Sequence, residues 1–179
     1  LPAGAVNDII RDPANVSRLY ASVPAVGVFV SNDAGATWTA ANNAQIANVA
    51  ASTRIRLTAS NGGGANVLYA GLLSGGGQDV AGIFRSTDQG ATWTARDVPR
   101  DGNGVIPTQG GVFFAMAADP TDANILYVGG DAQPAGSSGA VNSGRILRGD
   151  ASKAAGSQWT LGVGTGANNT GPAADTRVF

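Results

Sequence analysis

The titratable side chains of this 179-residue chain are twelve Asp, ten Arg, three Tyr and Lys153; His, Cys and Glu are absent. That inventory rules out Ser–His–Asp and Cys–His nucleophilic machinery. A zinc or copper site lacks its usual ligands, and Asp with carbonyl oxygens would suit calcium at best, so no metal site and no cofactor is expected. The chemistry left is that of paired carboxylates, as in glycoside hydrolysis, where two acidic groups flank the scissile bond. Asp8 is the candidate catalytic acid or base, because the corresponding extended segments carry Leu57 and Ala115 in its place, so it breaks their apolar pattern. Candidates for ligand contact are Asp79 and Asp131, in segments that read as loops, and Arg96, Asp97, Arg100 and Asp101 in Arg96-Asp-Val-Pro-Arg-Asp101. The alternative reading of these six is solvated loop charge. Arg148-Gly-Asp150 spells an adhesion-type tripeptide, but three-residue matches arise by chance.

The elements that must position these groups are short strands. The chain has 27 Gly and only 13% charged residues, a profile that suits many strands joined by turns. A net charge of −1 with no basic stripe argues against nucleic acid as a partner. No apolar run approaches the roughly 18 residues that span a bilayer, so membrane insertion is not expected. Without Cys the redox compartment is unreadable. Small polar residues and a single Lys suit an extracellular or cell-envelope protein. The chain opens at Leu1 with no signal-type stretch, which reads as a processed chain or an excerpt of a longer one.

Internal repeats organise the whole chain. Gly27-Val-Phe-Val-Ser-Asn-Asp-Ala-Gly-Ala-Thr-Trp-Thr-Ala40 returns 55 residues later as Gly82-Ile-Phe-Arg-Ser-Thr-Asp-Gln-Gly-Ala-Thr-Trp-Thr-Ala95, identical at ten of fourteen positions. A worn third copy runs from Gly144 to Asp150 and, after a four-residue insertion, from Gly156 through Trp159. In each copy a Gly stands six residues before the Asp. Upstream lie Leu19-Tyr20, Leu68-Tyr69 and Leu126-Tyr127, each preceded by a turn residue at Asp12, Asn61 or Asp119 and by an extended segment: Val6–Ile10, Ile55–Ala59 or Phe113–Ala117. Each unit therefore reads as strand a, turn, strand b ending in Leu-Tyr, loop, strand c, turn, strand d carrying Trp. The predicted fold is all-β: a β-propeller of four-stranded antiparallel blades with about three blades present.

In the c–d turn the Asp carboxylate can accept amides of its own turn, Gly supplies a positive φ, and Trp enters the next strand with a large ring to bury. Ser31, Asp33, Gly35, Thr37 and Trp38, with Ser86, Asp88, Gly90, Thr92 and Trp93, read as structural. So do Asp150, Gly156 and Trp159 in the third copy, where the insertion should distort the turn. These motifs resemble the Asp-box (BNR) repeat of sialidase-like propellers, xyloglucanase-type glycoside hydrolases, sortilin-type receptors and photosystem-assembly propellers. The resemblance implies a propeller fold and leaves function open, since the motif recurs in enzymes, receptors and assembly factors. The sialidase version would need a Tyr–Glu pair, and Glu is missing; an Asp-Ile-Gly-Gly-like segment of the xyloglucanase type is also missing.

The expected arrangement is one partial propeller domain, with blade 1 over 4–50, blade 2 over 51–108, blade 3 over 109–172 and the start of a fourth over 173–179. The remaining blades would come from the same longer chain or from other subunits. In such blades the a–b and c–d turns share one end, which places the boxes, Asp12, Asp119 and Asp122 together in structural roles. The b–c and d–a loops share the other end, and the Tyr-to-Gly spacing there grows from 7 to 13 to 17 residues. Lengthening loops suit a binding face, and neutral drift produces the same pattern. The expected function is a non-catalytic scaffold holding a glycan or protein on that face, with a two-Asp endo-glucanase fragment as the alternative.

Overall fold

Among the described residues, twelve strands form three separate four-stranded antiparallel sheets, each ordered as its strands follow in sequence. The computed structural model describes residues 1–74, 79–100, 114–132 and 144–161, and within these the side chains of Asp79, Asp131, Ala132 and Leu161 are not described. The first sheet holds β1 (Asp8–Asp12), β2 (Asn15–Val23), β3 (Gly27–Ser31) and β4 (Thr39–Ala40). The second holds β5 (Arg54–Ser60), β6 (Val67–Ser74), β7 (Asp79–Ser86) and β8 (Thr94–Arg96). The third holds β9 (Ala115–Ala118), β10 (Ile125–Ala132), β11 (Gly144–Asp150) and β12 (Trp159–Leu161). First strands lie side by side, β1 against β5 and β5 against β9, so the sheets stack as successive blades of a partial β-propeller. Sequence positions 101–113 and 162–179, which hold Asp101, the boundaries near 108 and 172 and the expected fourth blade, lie outside the described residues.

Burial follows the faces of the sheets, since blade 2 packs against blade 1 on one face and against blade 3 on the other. The first seam buries Tyr20, Val28 and Val30 of blade 1 against Ile55, Leu57, Leu68, Leu72, Phe84 and Trp93 of blade 2. The second buries Val67, Tyr69, Leu73 and Ile83 of blade 2 against Phe114, Ala123, Leu126 and Val128 of blade 3. Polar side chains staple the inner strands across these seams. Asn7 Oδ1 accepts the Ile55 amide (3.0 Å) and Ser22 Oγ donates to the Ile55 carbonyl (2.7 Å). Thr58 Oγ1 accepts the Ala118 amide (3.0 Å), while Arg56 Nε donates to the Phe114 carbonyl (3.2 Å).

Tyr20, Tyr69 and Tyr127 provide a common ruler, because they pair with Ile10, Thr58 and Ala117 on one side and with Val30, Arg85 and Arg148 on the other. Four sequence expectations are corrected by it. Strand b does not end at Leu-Tyr; it continues to Val23, Ser74 and Ala132, because the residues after Tyr keep pairing with strand c. Asp79 and Asp131 are therefore strand residues at the edges of the b–c loops, Asp79 opening β7 opposite Ser74. Strand a of blade 1 begins at Asp8 rather than Val6. Asp8 stands opposite Ser22, as Arg56 stands opposite Gly71 and Ala115 opposite Gly129, so the counterpart of Asp8 in blade 2 is Arg56 and not Leu57. Matching by apolar character slipped one residue there, and a one-residue slip exchanges the two faces of a strand.

The third box is shifted in the same way. Ser31, Ser86 and Gly149 are equivalent, each opposite the Leu of its Leu-Tyr pair. Asp150 thus occupies the place of Asn32 and Thr87, and Ala151 the place of Asp33 and Asp88. Register shifts between β10 and β11 at Gly129/Ala132, so the Gly-to-Asp spacing of six does not carry the same alignment into this blade.

Candidate functional site

The two intact boxes are closed hydrogen-bond cages. Ser31 Oγ donates to Asp33 Oδ1 (2.8 Å) and accepts the Gly35 amide (2.8 Å), and Asp33 Oδ1 also accepts the Thr37 amide (2.8 Å). Ser86, Asp88, Gly90 and Thr92 repeat the pattern at the same lengths. Each turn holds two consecutive residues at positive φ, Ala34-Gly35 and Gln89-Gly90. The Thr37 hydroxyl and amide, then Ser31, hold the Asp33 carboxyl down at about 2. Thr92 lowers the Asp88 carboxyl from its ordinary value, and Thr121 lowers that of Asp119 in the third a–b turn.

Asp12 is the buried polar node of the first seam, 1% exposed. Its carboxylate accepts the Ala14 amide (2.7 Å), Tyr20 Oη–H (2.9 Å), Arg18 Nη1–H (3.2 Å) and, from blade 2, Asn66 Nδ2–H (3.0 Å). Burial works against the charge, yet the bonds from Asn66, Ala14, Tyr20 and Arg18 outweigh it and hold the carboxyl below its ordinary value. Burial and the bond to Asp12 together push the Tyr20 phenol upward.

Asp8 also lies across the first seam. Its Oδ2 accepts the Leu57 amide at 3.0 Å and lies 3.9 Å from Arg56 Nη1. Charges at equivalent positions of neighbouring inner strands thus face each other, Asp8 on blade 1 and Arg56 on blade 2. Arg54, one step along the same face as Arg56, is held below its ordinary value by burial and by the Arg56 charge.

The other candidates gather where the chain leaving blade 2 passes the box turn of blade 3. Asp97 Oδ2 accepts the amides of Gly156 (2.7 Å) and Gln158 (3.3 Å), and the Asp97 amide donates to Gln158 Oε1 (2.9 Å). Trp159 Nε1–H donates to the Asp97 carbonyl (2.7 Å). A carboxylate from the neighbouring blade thus caps the turn whose own Asp has slipped. Asp150 is occupied nearby, accepting the amide and hydroxyl of Ser152, which lower its carboxyl. Beside this contact Asp97, Val98, Arg100, Gly156 and Trp159 line an open cleft of about 390 Å³. It combines part of an indole, an aliphatic side chain, a carboxylate and a guanidinium. Asp97 and Arg100 therefore lie against the third box, whereas the sequence placed them among loops of the opposite end. The d–a connection crosses to the next blade within a few residues of β8, and that crossing was not visible in one repeat alone.

Arg96 sits one residue earlier, and among the described residues its buried Nε has no partner. It borders a small gap also lined by Tyr69, Asn124, Gln158 and Trp159. Arg85 bonds to two of these residues: its Nε donates to Tyr69 Oη (3.2 Å), its Nη2 to Asn124 Oδ1 (3.0 Å), and its guanidinium lies 5.9 Å from the Tyr69 ring centre. Burial raises the Tyr69 phenol against the pull of Arg85. Sequence reading missed Arg85 and the cleft-lining Val98, although a signal existed: across the 55-residue offset Val30 becomes Arg85 and Ala41 becomes Arg96. Among the described residues no three acidic side chains converge on a point that could hold a metal ion, and no helix is long and apolar enough to cross a membrane.

No protein-family profile and no curated protein matches this sequence. Solved structures do match its fold. A GH74 xyloglucanase from Xanthomonas campestris superposes with a TM-score of 0.51 at 16% identity over 87% of this chain and 21% of the xyloglucanase. YCF48 from Cyanidioschyzon merolae superposes with a TM-score of 0.56, also at 16% identity, over 95% of this chain and 44% of YCF48. Both are β-propeller proteins, and this chain spans less than half the length of either. At this identity the likeness establishes the propeller fold alone.

Proposed function

We propose that this chain is a non-catalytic Asp-box propeller scaffold, of extracellular or envelope type, that holds a glycan or protein partner. One observation carries the reading. All eight Asp side chains that the structure describes already accept hydrogen bonds from the protein itself: Asp8, Asp12, Asp33, Asp88, Asp97, Asp119, Asp122 and Asp150. Five of them are held below the ordinary carboxylate range. A glycosidase needs one carboxyl raised to act as acid and a second placed across the bond from it, and those five are tuned the opposite way. Asp8, the candidate acid or base, is tied to the neighbouring blade.

The cleft beside Trp159 is the partner site that this reading uses. An indole face offers the apolar side of a sugar ring a stacking surface, and Asp97 and Arg100 offer hydroxyls an acceptor and donors. The test is a glycan array and a cross-linking pull-down with the 179-residue chain, followed by tryptophan fluorescence titration of any hit. Saturable binding without turnover, weakened by Arg100→Ala and untouched by Asp8→Asn, is the expected result. Hydrolysis of a β-glucan or a sialoside, abolished by Asp8→Asn, would overturn the reading in favour of the glycoside hydrolase.

A further inference from the structure

Two positions change character between the seams. At the first, Val30 and Ala41 are small apolar side chains packed under the box turn of blade 2, where a Cβ built on Gly90 would lie 3.1 Å from Ala41 and 3.7 Å from Val30. Pairing sets Arg85 and Arg96 at the same places of the second seam. Arg85 stands opposite Tyr69 as Val30 stands opposite Tyr20, and Arg96 stands opposite Ile83 as Ala41 bonds to Val28. Two cations thus replace two apolar groups in one contact between blades.

Arg85 has acceptors there, in Tyr69 Oη and Asn124 Oδ1. Arg96 has none: its Nε is buried without a partner, and among the described residues no acceptor or carboxylate bonds to its guanidinium. The acidic groups of this seam are occupied by their own surroundings. Asp150, which lines the same gap, accepts the Ser152 amide and hydroxyl, Asp122 accepts from Asn124, and Asp97 accepts the Gly156 and Gln158 amides. Burial raises the Tyr69 phenol, and the charges of Arg85 and Arg96 both act to lower it, so the two cations converge on one hydroxyl. A half-buried guanidinium without an acceptor is costly, and a second cation near it adds repulsion. A bound anion relieves both.

The gap beside Arg96 has about 10 Å³ of free space, room for one water-sized group or one ligand oxygen. Trp159 walls both this gap and the open cleft lined by Asp97, Val98 and Arg100. We propose that Arg96, with Arg85 adding its charge, is a subsite for one oxyanion substituent, a carboxylate or a sulfate ester, of an acidic glycan whose sugar ring lies in that cleft. A guanidinium presents several N–H donors to such a group in a fixed planar fork. The inference rests on the glycan reading of the cleft and adds the charge of the ligand to it.

An array of uronate, sulfated and neutral oligosaccharides, followed by calorimetry on matched acidic and neutral members, tests it. An acidic oligomer should bind the 179-residue chain about 10-fold more tightly than its neutral counterpart, with the preference shrinking as salt is added. Whether uronate or sulfate gains that factor names the substituent. The Arg96 Nε–H signal in NMR should shift on binding. Arg96→Ala gives blade 2 the residue that blade 1 carries at this position, so the variant should fold, as near-ultraviolet circular dichroism checks. It should erase the preference and leave the neutral affinity unchanged. Equal affinity for acidic and neutral oligomers, or a preference that survives Arg96→Ala, would overturn the subsite; if Arg100→Ala still weakens binding, the glycan reading stands without it. Absence of binding by every member of the array would overturn both.

Discussion

The turn before Trp93 and the turn before Trp159 hold a tryptophan at the same register position by different means. Blade 2 closes its turn from within, through Ser86, Asp88 and Thr92. Blade 3 has Gly149 in place of the Ser, Ala151 in place of the Asp and an insertion, and its turn amides are capped by Asp97 of blade 2. The seams differ in parallel. Across the first, Tyr20 bonds to the buried carboxylate of Asp12, and Val30 and Ala41 face the neighbour. Across the second, the equivalent Tyr69 donates to the Ala123 carbonyl (2.8 Å) and receives Arg85, and Arg96 replaces Ala41. The self-capped turn of blade 2 takes no carboxylate from its neighbour. A worn turn makes the seam carry its hydrogen bonds, and the polar cleft lies where that substitution occurs.

The largest effect that would break this comparison is expected at Asp12. Asp12→Ala strands the Tyr20 hydroxyl, the Arg18 guanidinium and the Asn66 amide in a buried site, costing about 3 kcal/mol in urea unfolding. Asp119→Ala, at the same repeat position in blade 3, removes an exposed turn acceptor and should leave the urea midpoint nearly unchanged. Equal losses at the two positions would show that the seams are not organised differently.

Restoring the missing Ser comes next, and its sign runs against consensus. A Cβ built on Gly149 would lie 2.9 Å from two atoms of the Trp159 ring, which closes over the backbone where the other blades carry Ser. Gly149→Ser should therefore destabilise by about 1–3 kcal/mol through overpacking. A rise in melting temperature would mean that the worn box is only decayed and has not repacked.

Much of this organisation was legible in the sequence. Twelve strands, their antiparallel order and the three-blade count follow from the repeated Leu-Tyr and Asp–Gly–Thr–Trp positions, since alternation and turn chemistry are local. What failed was register by one residue: Leu57 for Arg56, Asp150 for Ala151. Apolar matching and fixed spacing are blind to the register shift near Gly129, and only pairing partners resolve it. The site was less legible still. Asp97 was named from its charge, but its partner lies 59 residues away in another blade, a relation that no single repeat encodes.

A smaller effect sharpens the contrast between self-capped and neighbour-capped turns. Asp88→Asn should speed amide exchange at Thr92, in its own hairpin. Asp97→Asn should leave its own hairpin protected and speed exchange at Gly156 and Gln158 of the next blade, by about 1 kcal/mol of local stability. Shifted Trp159 fluorescence should accompany it, because the indole donates to the same residue. Exchange changes confined to blade 2 would contradict the cross-blade cap.

The smallest effect is expected from protonating the exposed cages. Asp33 titrates at about 2 in the folded chain against an ordinary value of 3.8, so between these values the unfolded chain binds more protons. Its contribution is complete above about pH 4–5, falls as the solution is acidified and is gone below about pH 2. Asp88 is shifted in the same direction by the equivalent Thr92 bonds, so both self-capped turns should loosen over this acid range. Carboxyl-carbon NMR titration measures this directly, and Thr37→Val should return the Asp33 midpoint toward 3.8 by removing the hydroxyl that lowers it most. A midpoint near 3.8 in the unaltered chain would show that the cage does not hold the charged carboxylate in solution.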